Sequence, residues 1–130
     1  MIKNKNKIAA NTLILFSIFG IMIAVMVIIS LIPSDMVWGG RVINHNQILL
    51  LEFVSLAVNI LMIWFVAMRV EYVRAVVSSR LLYVVLIIFM AMMLMNTVGN
   101  ITAETIFERI MSVVTFVSAF CFYVLIKGSN

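Results

Sequence analysis

The sequence predicts an all-α membrane fold: a single antiparallel bundle of four transmembrane helices with both termini in the cytoplasm. Three observations predict it. The 130 residues are 65% apolar, with a mean hydropathy of +1.24, whereas a water-soluble domain is about half apolar. The apolar residues fall into four runs, 8–31, 47–68, 81–98 and 106–126, each close to the ~20 residues that cross a hydrocarbon core of about 30 Å. Runs such as LILFSIFGIMIAVMVIISLI and LLYVVLIIFMAMMLM do not alternate apolar with polar residues, as the strands of a membrane barrel must. The connections 32–46, 69–80 and 99–105 are short, so residues 1–130 form one membrane domain.

The basic residues give the orientation. Lys3, Lys5 and Lys7 precede the first span, Arg69, Arg74 and Arg80 lie between the second and third, and Lys127 follows the fourth. Only Arg41 and Arg109 fall on the other side. Cytoplasmic segments carry the excess of Lys and Arg, so the expectation is a multi-pass protein of the cell inner (plasma) membrane. Residues 32–46 and 99–105 then face outward. Topology accounts for the net charge of +4, and no nucleic-acid partner is expected.

The first span is expected to remain as an uncleaved anchor. Its apolar run exceeds the roughly 7–15 residues of a signal peptide, and no small-residue cleavage site follows it. Along it, Ser17, Gly20 and Ala24 form a narrow face where backbones can approach, either a seam within the bundle or a homodimer face. Pro33 is expected to stop this helix.

The stretch SDMVWGGRVINHNQ, residues 34–47, is the longest polar interruption in the chain. Trp38 suits the headgroup level, and the Gly39-Gly40 pair permits a tight reversal. A lid that turns Arg41 back over the bundle is one reading; an Arg41–Glu52 ion pair fixing loop and helix register is the other.

Between the second and third spans, RVEYVRAVVSSR is short enough for one or two interfacial turns, with basic side chains snorkelling from the helix ends. Gly99 and Asn100 are expected to end the third helix. Thr105, with Glu108 three residues later, resembles a capping box that opens the fourth.

The most informative residues lie in the second span. Glu52, Ser55 and Asn59 share one helical face, and an ionisable residue inside a span generally faces a bundle interior or water-filled cavity. At 1.5 Å per residue, Glu52 sits about 25 Å above the inner boundary, the level of Asn96 or Thr97 and of Ser112 or Met111. Glu108, Ser112, Thr115 and Ala119 run along one side of the fourth span. A polar layer of Glu52, Asn96 and Ser112 is therefore expected beneath the outer surface, with Asp35, Arg41, His45, Asn100 and Glu108 as a rim above it. Asn59 continues the face inward.

Other chemistry is thinly provided. His45 has no nucleophile marked beside it, so catalytic residues are not assigned. Cys121 is the sole cysteine, which leaves no disulfide and no zinc spacing. Met90, Met92, Met93 and Met95 point all around their helix, as packing residues do, and form no single ligand face for a soft metal. No Gly-rich phosphate loop is present. No cofactor and no metal are expected.

Trp38-Gly39-Gly40-Arg41, Glu52-Phe53 and Asn96-Thr97-Val98-Gly99-Asn100 followed by Phe107-Glu108 resemble the pattern of a family of small four-span bacterial membrane proteins. The resemblance spans nearly the whole chain and implies the four-span fold; it brings no activity or site residue. Small multidrug exporters differ in carrying their membrane Glu in the first span. Fluoride channels carry Asn-x-x-Gly in an early span, whereas here Asn96-Thr97-Val98-Gly99 ends the third. The expected role is a binding or accessory subunit, with membrane lipid and a membrane protein or second copy as partners. The alternative is a homo-oligomeric transporter or channel using Glu52 as a coupled proton or cation site.

Overall fold

A computed structural model describes residues 3–38 and 44–128 of the chain. Four helices follow one another: α1 (Asn4–Ile28), α2 (His45–Arg69), α3 (Ser79–Ile101) and α4 (Ile106–Lys127), with a single 3-10 turn at Ser34–Met36 in the first connection. All four helices are long and apolar enough to cross a membrane. The chain is a small multi-pass membrane protein with the expected all-α, four-helix architecture. Below, the upper end of the bundle carries the α1–α2 and α3–α4 connections, and the lower end carries the termini and the α2–α3 connection.

Helix starts follow local side-chain chemistry. Asn44 Oδ1 accepts from the Asn46 amide at 2.9 Å, Ser78 Oγ from the Leu81 amide at 3.2 Å, and Thr105 Oγ1 from the Glu108 amide at 3.2 Å. Each satisfies a backbone donor that the first turn leaves without a helical partner. The Thr105–Glu108 box closes differently from the usual form, because Glu108 Oε2 reaches the Thr105 hydroxyl at 3.1 Å.

Two helix ends depart from expectation. α1 stops at Ile28, well before Pro33, because Ser30 adopts φ 64°. The Leu31 amide then donates to Met26 O at 2.8 Å and the Ser30 amide to Val27 O at 3.0 Å, the paired bonds of a Schellman closure. α2 ends the same way, with Glu71 at φ 62° and the Tyr72 amide on Ala67 O at 2.8 Å. α3 instead runs straight through Gly99 and Asn100 to Ile101. In lipid the backbone must satisfy itself, and continued helix does so where a four-residue connection already suffices.

α3 packs closely on α4 and α1 on α2; α1 and α4 join the two pairs, while α2 and α3 meet only thinly. The apolar core fills the lower half. Ala10, Leu13, Val66, Leu86, Phe122 and Leu125 are buried there, and Phe89 meets Phe65 edge-to-face and Phe122 at a tilt, with ring centroids 6.2 and 5.8 Å apart.

Polar ties hold the lower end. Arg69 donates from Nε and Nη2 to Leu125 O at 3.0 and 2.8 Å, and Asn6 Nδ2 to Gly128 O at 3.0 Å, so two helices supply donors to the C-terminal carbonyls of α4. Tyr72 Oη donates to Asn11 Oδ1 at 2.9 Å. The outward faces carry exposed Leu15, Phe19, Ile88, Phe116 and Phe120, a surface matched to hydrocarbon and far too apolar for water.

Candidate functional site: a polar cavity in the upper bundle

Above the Phe89–Phe122 core the four helices frame a half-open cavity of about 360 Å³, at the small end of ligand pockets, which hold about 300–1,000 Å³. α2 contributes Glu52, Ser55 and Asn59; α3 contributes Asn96 and Asn100; α4 contributes Glu108, Thr115 and Ser118; and α1 contributes Ser17 and Gly20. Apolar side chains complete the wall, among them Phe16, Met62, Met92, Met93 and Phe107. Val37 and Trp38 bring the α1–α2 connection onto the cavity as well.

Glu52 is only 4% exposed, and its Oε1 accepts a 2.7 Å hydrogen bond from Trp38 Nε1. The indole thus reaches into the bundle, where the sequence suggested a headgroup anchor. Glu108, 8% exposed, takes its side-chain contact from Thr105. That hydroxyl also lies 3.1 Å from Met36 O, so one proton faces two acceptors. The Thr105–Met36 contact ties the first connection to the third.

Deeper in the cavity, Asn59 Nδ2 donates to Ser55 O at 2.8 Å. Its side chain lies against Gly20, where an added Cβ would come within 2.8 Å of Asn59 Oδ1. The narrow Ser17–Gly20–Ala24 face is accordingly turned toward α2 and the cavity. Thr97 and Thr115 share a hydroxyl–hydroxyl bond of 2.9 Å between α3 and α4. Ser17 is 3% exposed and lines the cavity, yet its hydroxyl makes no hydrogen bond among the described residues.

Of the residues singled out from the sequence, Glu52, Asn59, Asn96, Asn100 and Glu108 converge on this cavity. Ser112 does not. Its hydroxyl bonds to Arg109 O within its own helix. At about 100° per residue, the lining positions Phe107, Glu108, Met111, Val114, Thr115 and Ser118 form one arc, and Ser112 lies past its edge. Asp35 and His45 do not join the rim either. They line a separate, smaller cleft with Val27, Ser30, Pro33 and Ile48, because residues 32–35 turn toward the top of α1 before Val37 and Trp38 reach the cavity. Arg41 and the Gly39-Gly40 reversal lie outside the described residues.

Sequence reasoning missed the Trp38–Glu52 bond and the Ser17 hydroxyl. Ser17 carried a signal, since it stands on the small-residue face at a level that the Glu52 face reaches. In the sequence Arg69 and Arg109 register only as topological charges, yet each caps backbone: Arg69 at Leu125, and Arg109 Nε at Ala103 O, 3.0 Å. Among the described residues no three His, Cys, Asp or Glu side chains gather as a metal site would need. Comparison with family models, curated proteins and solved structures finds no match to this chain.

Proposed function

We propose that this membrane protein is a binding subunit that takes a small ligand into the upper cavity. The observation that carries the reading is the contrast between the two halves of the bundle: the lower half is packed with apolar side chains, and the upper half keeps about 360 Å³ open beside two buried carboxylates. Packed interiors leave few voids larger than a water molecule. Polar side chains in a span mark substrate or ion sites.

The cavity faces the outside in this reading, and the termini lie in the cytoplasm of a plasma-membrane protein, as the seven basic residues at the lower end favour. A second copy or companion membrane protein would pack against the exposed apolar faces. Transport through Glu52 is the second reading. It is favoured by the burial of that carboxylate, but it requires a route past Leu86, Phe89 and Phe122, which close the bundle below.

Native mass spectrometry of protein extracted gently from its own cells tests the binding reading. The expected spectrum shows a small bound molecule that is lost when the cavity is filled by Ser55→Phe, with thermal melting confirming that the variant folds. Identical spectra for both proteins would count against it. A companion protein retained by both would favour the accessory role alone.

A further inference from the structure

We propose that the ligand is a hydrophobic organic cation, an ammonium group on an apolar body, held with Glu52 and Glu108 as its counter-charges. The inference rests on the binding reading above and names the chemistry of that same cavity.

Four features point to it. First, both acidic side chains that lie within the helices and are buried, Glu52 and Glu108, come to one cavity from different helices. A carboxylate in a poorly solvated space lacks hydration, and a cation held beside it relieves that cost. Second, the described residues give them only neutral partners, an indole N–H and a threonine hydroxyl that has a second acceptor. No Lys or Arg among the described residues lines the cavity.

Third, the remaining wall suits the rest of such a molecule. Trp38, Phe16 and Phe107 line it with aromatic rings, whose faces attract a cation through their quadrupole, and Met62, Met92 and Met93 offer polarizable, adaptable thioethers. Ser17 lines the cavity as well, and its hydroxyl offers a further hydrogen-bonding group to the ligand. Fourth, the thin α2–α3 seam runs beside the cavity, whose wall includes Val54 and Val58 of α2 and Met92 of α3. An amphiphile dissolved in the bilayer can enter there with its charged end leading toward the upper surface.

The test uses the full chain in nanodiscs of zwitterionic lipid, with Trp64→Phe so that Trp38 is the only tryptophan reporter. Three probes of matched shape are titrated: benzyltrimethylammonium, its neutral carbon isostere neopentylbenzene, and the anion phenylmethanesulfonate. The cation is expected to change Trp38 emission saturably and to bind at least about tenfold more tightly than the isostere, the scale of a desolvated cation–π and charge contact. Glu52→Gln keeps an Oε1 acceptor for Trp38 while removing the charge. It should weaken the cation by about tenfold and leave the isostere unchanged.

Equal binding of cation and isostere, or preference for the anion, overturns the assignment of ligand class while leaving a binding cavity. Cation binding that appears only in Arg41→Ala also overturns it, because the cavity's cation is then the chain's own. Failure of all three probes, in both backgrounds, overturns the ligand class and the binding reading together.

Discussion

Trp38 Nε1 donates a 2.7 Å hydrogen bond to Glu52 Oε1, joining the α1–α2 connection to a carboxylate that is 4% exposed inside α2. The bond brings the connection onto the cavity and engages the carboxylate that a ligand would use. Whatever binds Glu52 must therefore share it with the indole or displace it, which couples occupancy of the cavity to the position of the connection.

Trp38→Phe keeps the ring and removes the donor. A buried acceptor left without its partner costs about 1–3 kcal/mol, so the variant should melt at lower temperature in mild detergent. The double variant with Glu52→Leu should lose less than the sum of the two single variants. Additive losses would mean that the two side chains do not interact in solution.

Arg69 should matter for stability as well as topology. Its two donors serve Leu125 O at the C-terminal end of α4, and hydrogen bonds from a charged donor contribute about 1.5–3 kcal/mol. Arg69→Met should lower stability by about that amount and speed amide exchange over the last turn of α4. Exchange unchanged from the parent protein would remove Arg69 as the cap.

Glu71 and Ser30 occupy left-handed backbone with φ of 62° and 64°, a conformation that costs an L residue about 1–2 kcal/mol and glycine far less. Glu71→Gly and Ser30→Gly should each raise stability, by up to about 1 kcal/mol after glycine's entropy cost. Equilibrium unfolding reads this directly. A loss would indicate that the side chain makes contacts outweighing the strain.

Gly20→Ala places a methyl against the Asn59 amide. Because Asn59 is held to Ser55 O, the change should displace that amide into the cavity and destabilise the α1–α2 seam by about 0.5–1.5 kcal/mol, the net worth of the lost hydrogen bond. Gly99→Ala, where an added Cβ meets nothing, is the control. It should be neutral or mildly stabilising, as expected for alanine within a helix.

The four helices were legible because lipid forces a simple code: long unalternating apolar runs, with polar breaks between them. Depth was legible for the same reason, since a constant rise per residue places Glu52 level with Asn96 and Thr97. Azimuth was less so. Ser112 has the right depth, but α4 presents Thr115 and Ser118 to the cavity, and only the packing of α4 on α1 and α3 decides that rotation. The connection was least legible. Ser30 stops α1 through a backbone conformation that serine rarely takes, so Pro33 was the more visible signal. Trp38 meets Glu52 through a loop path that periodicity does not encode. Gly99-Asn100 failed as a helix end because the demand for backbone pairing outweighs their local preference.

Cysteine accessibility tests most directly whether the upper bundle is open and the lower bundle packed. In a Cys121→Ala background, Ser55→Cys and Asn59→Cys should react with a small water-soluble methanethiosulfonate, while Ala10→Cys, in the lower core, should stay inert. Ser55→Cys as unreactive as Ala10→Cys would contradict an accessible cavity.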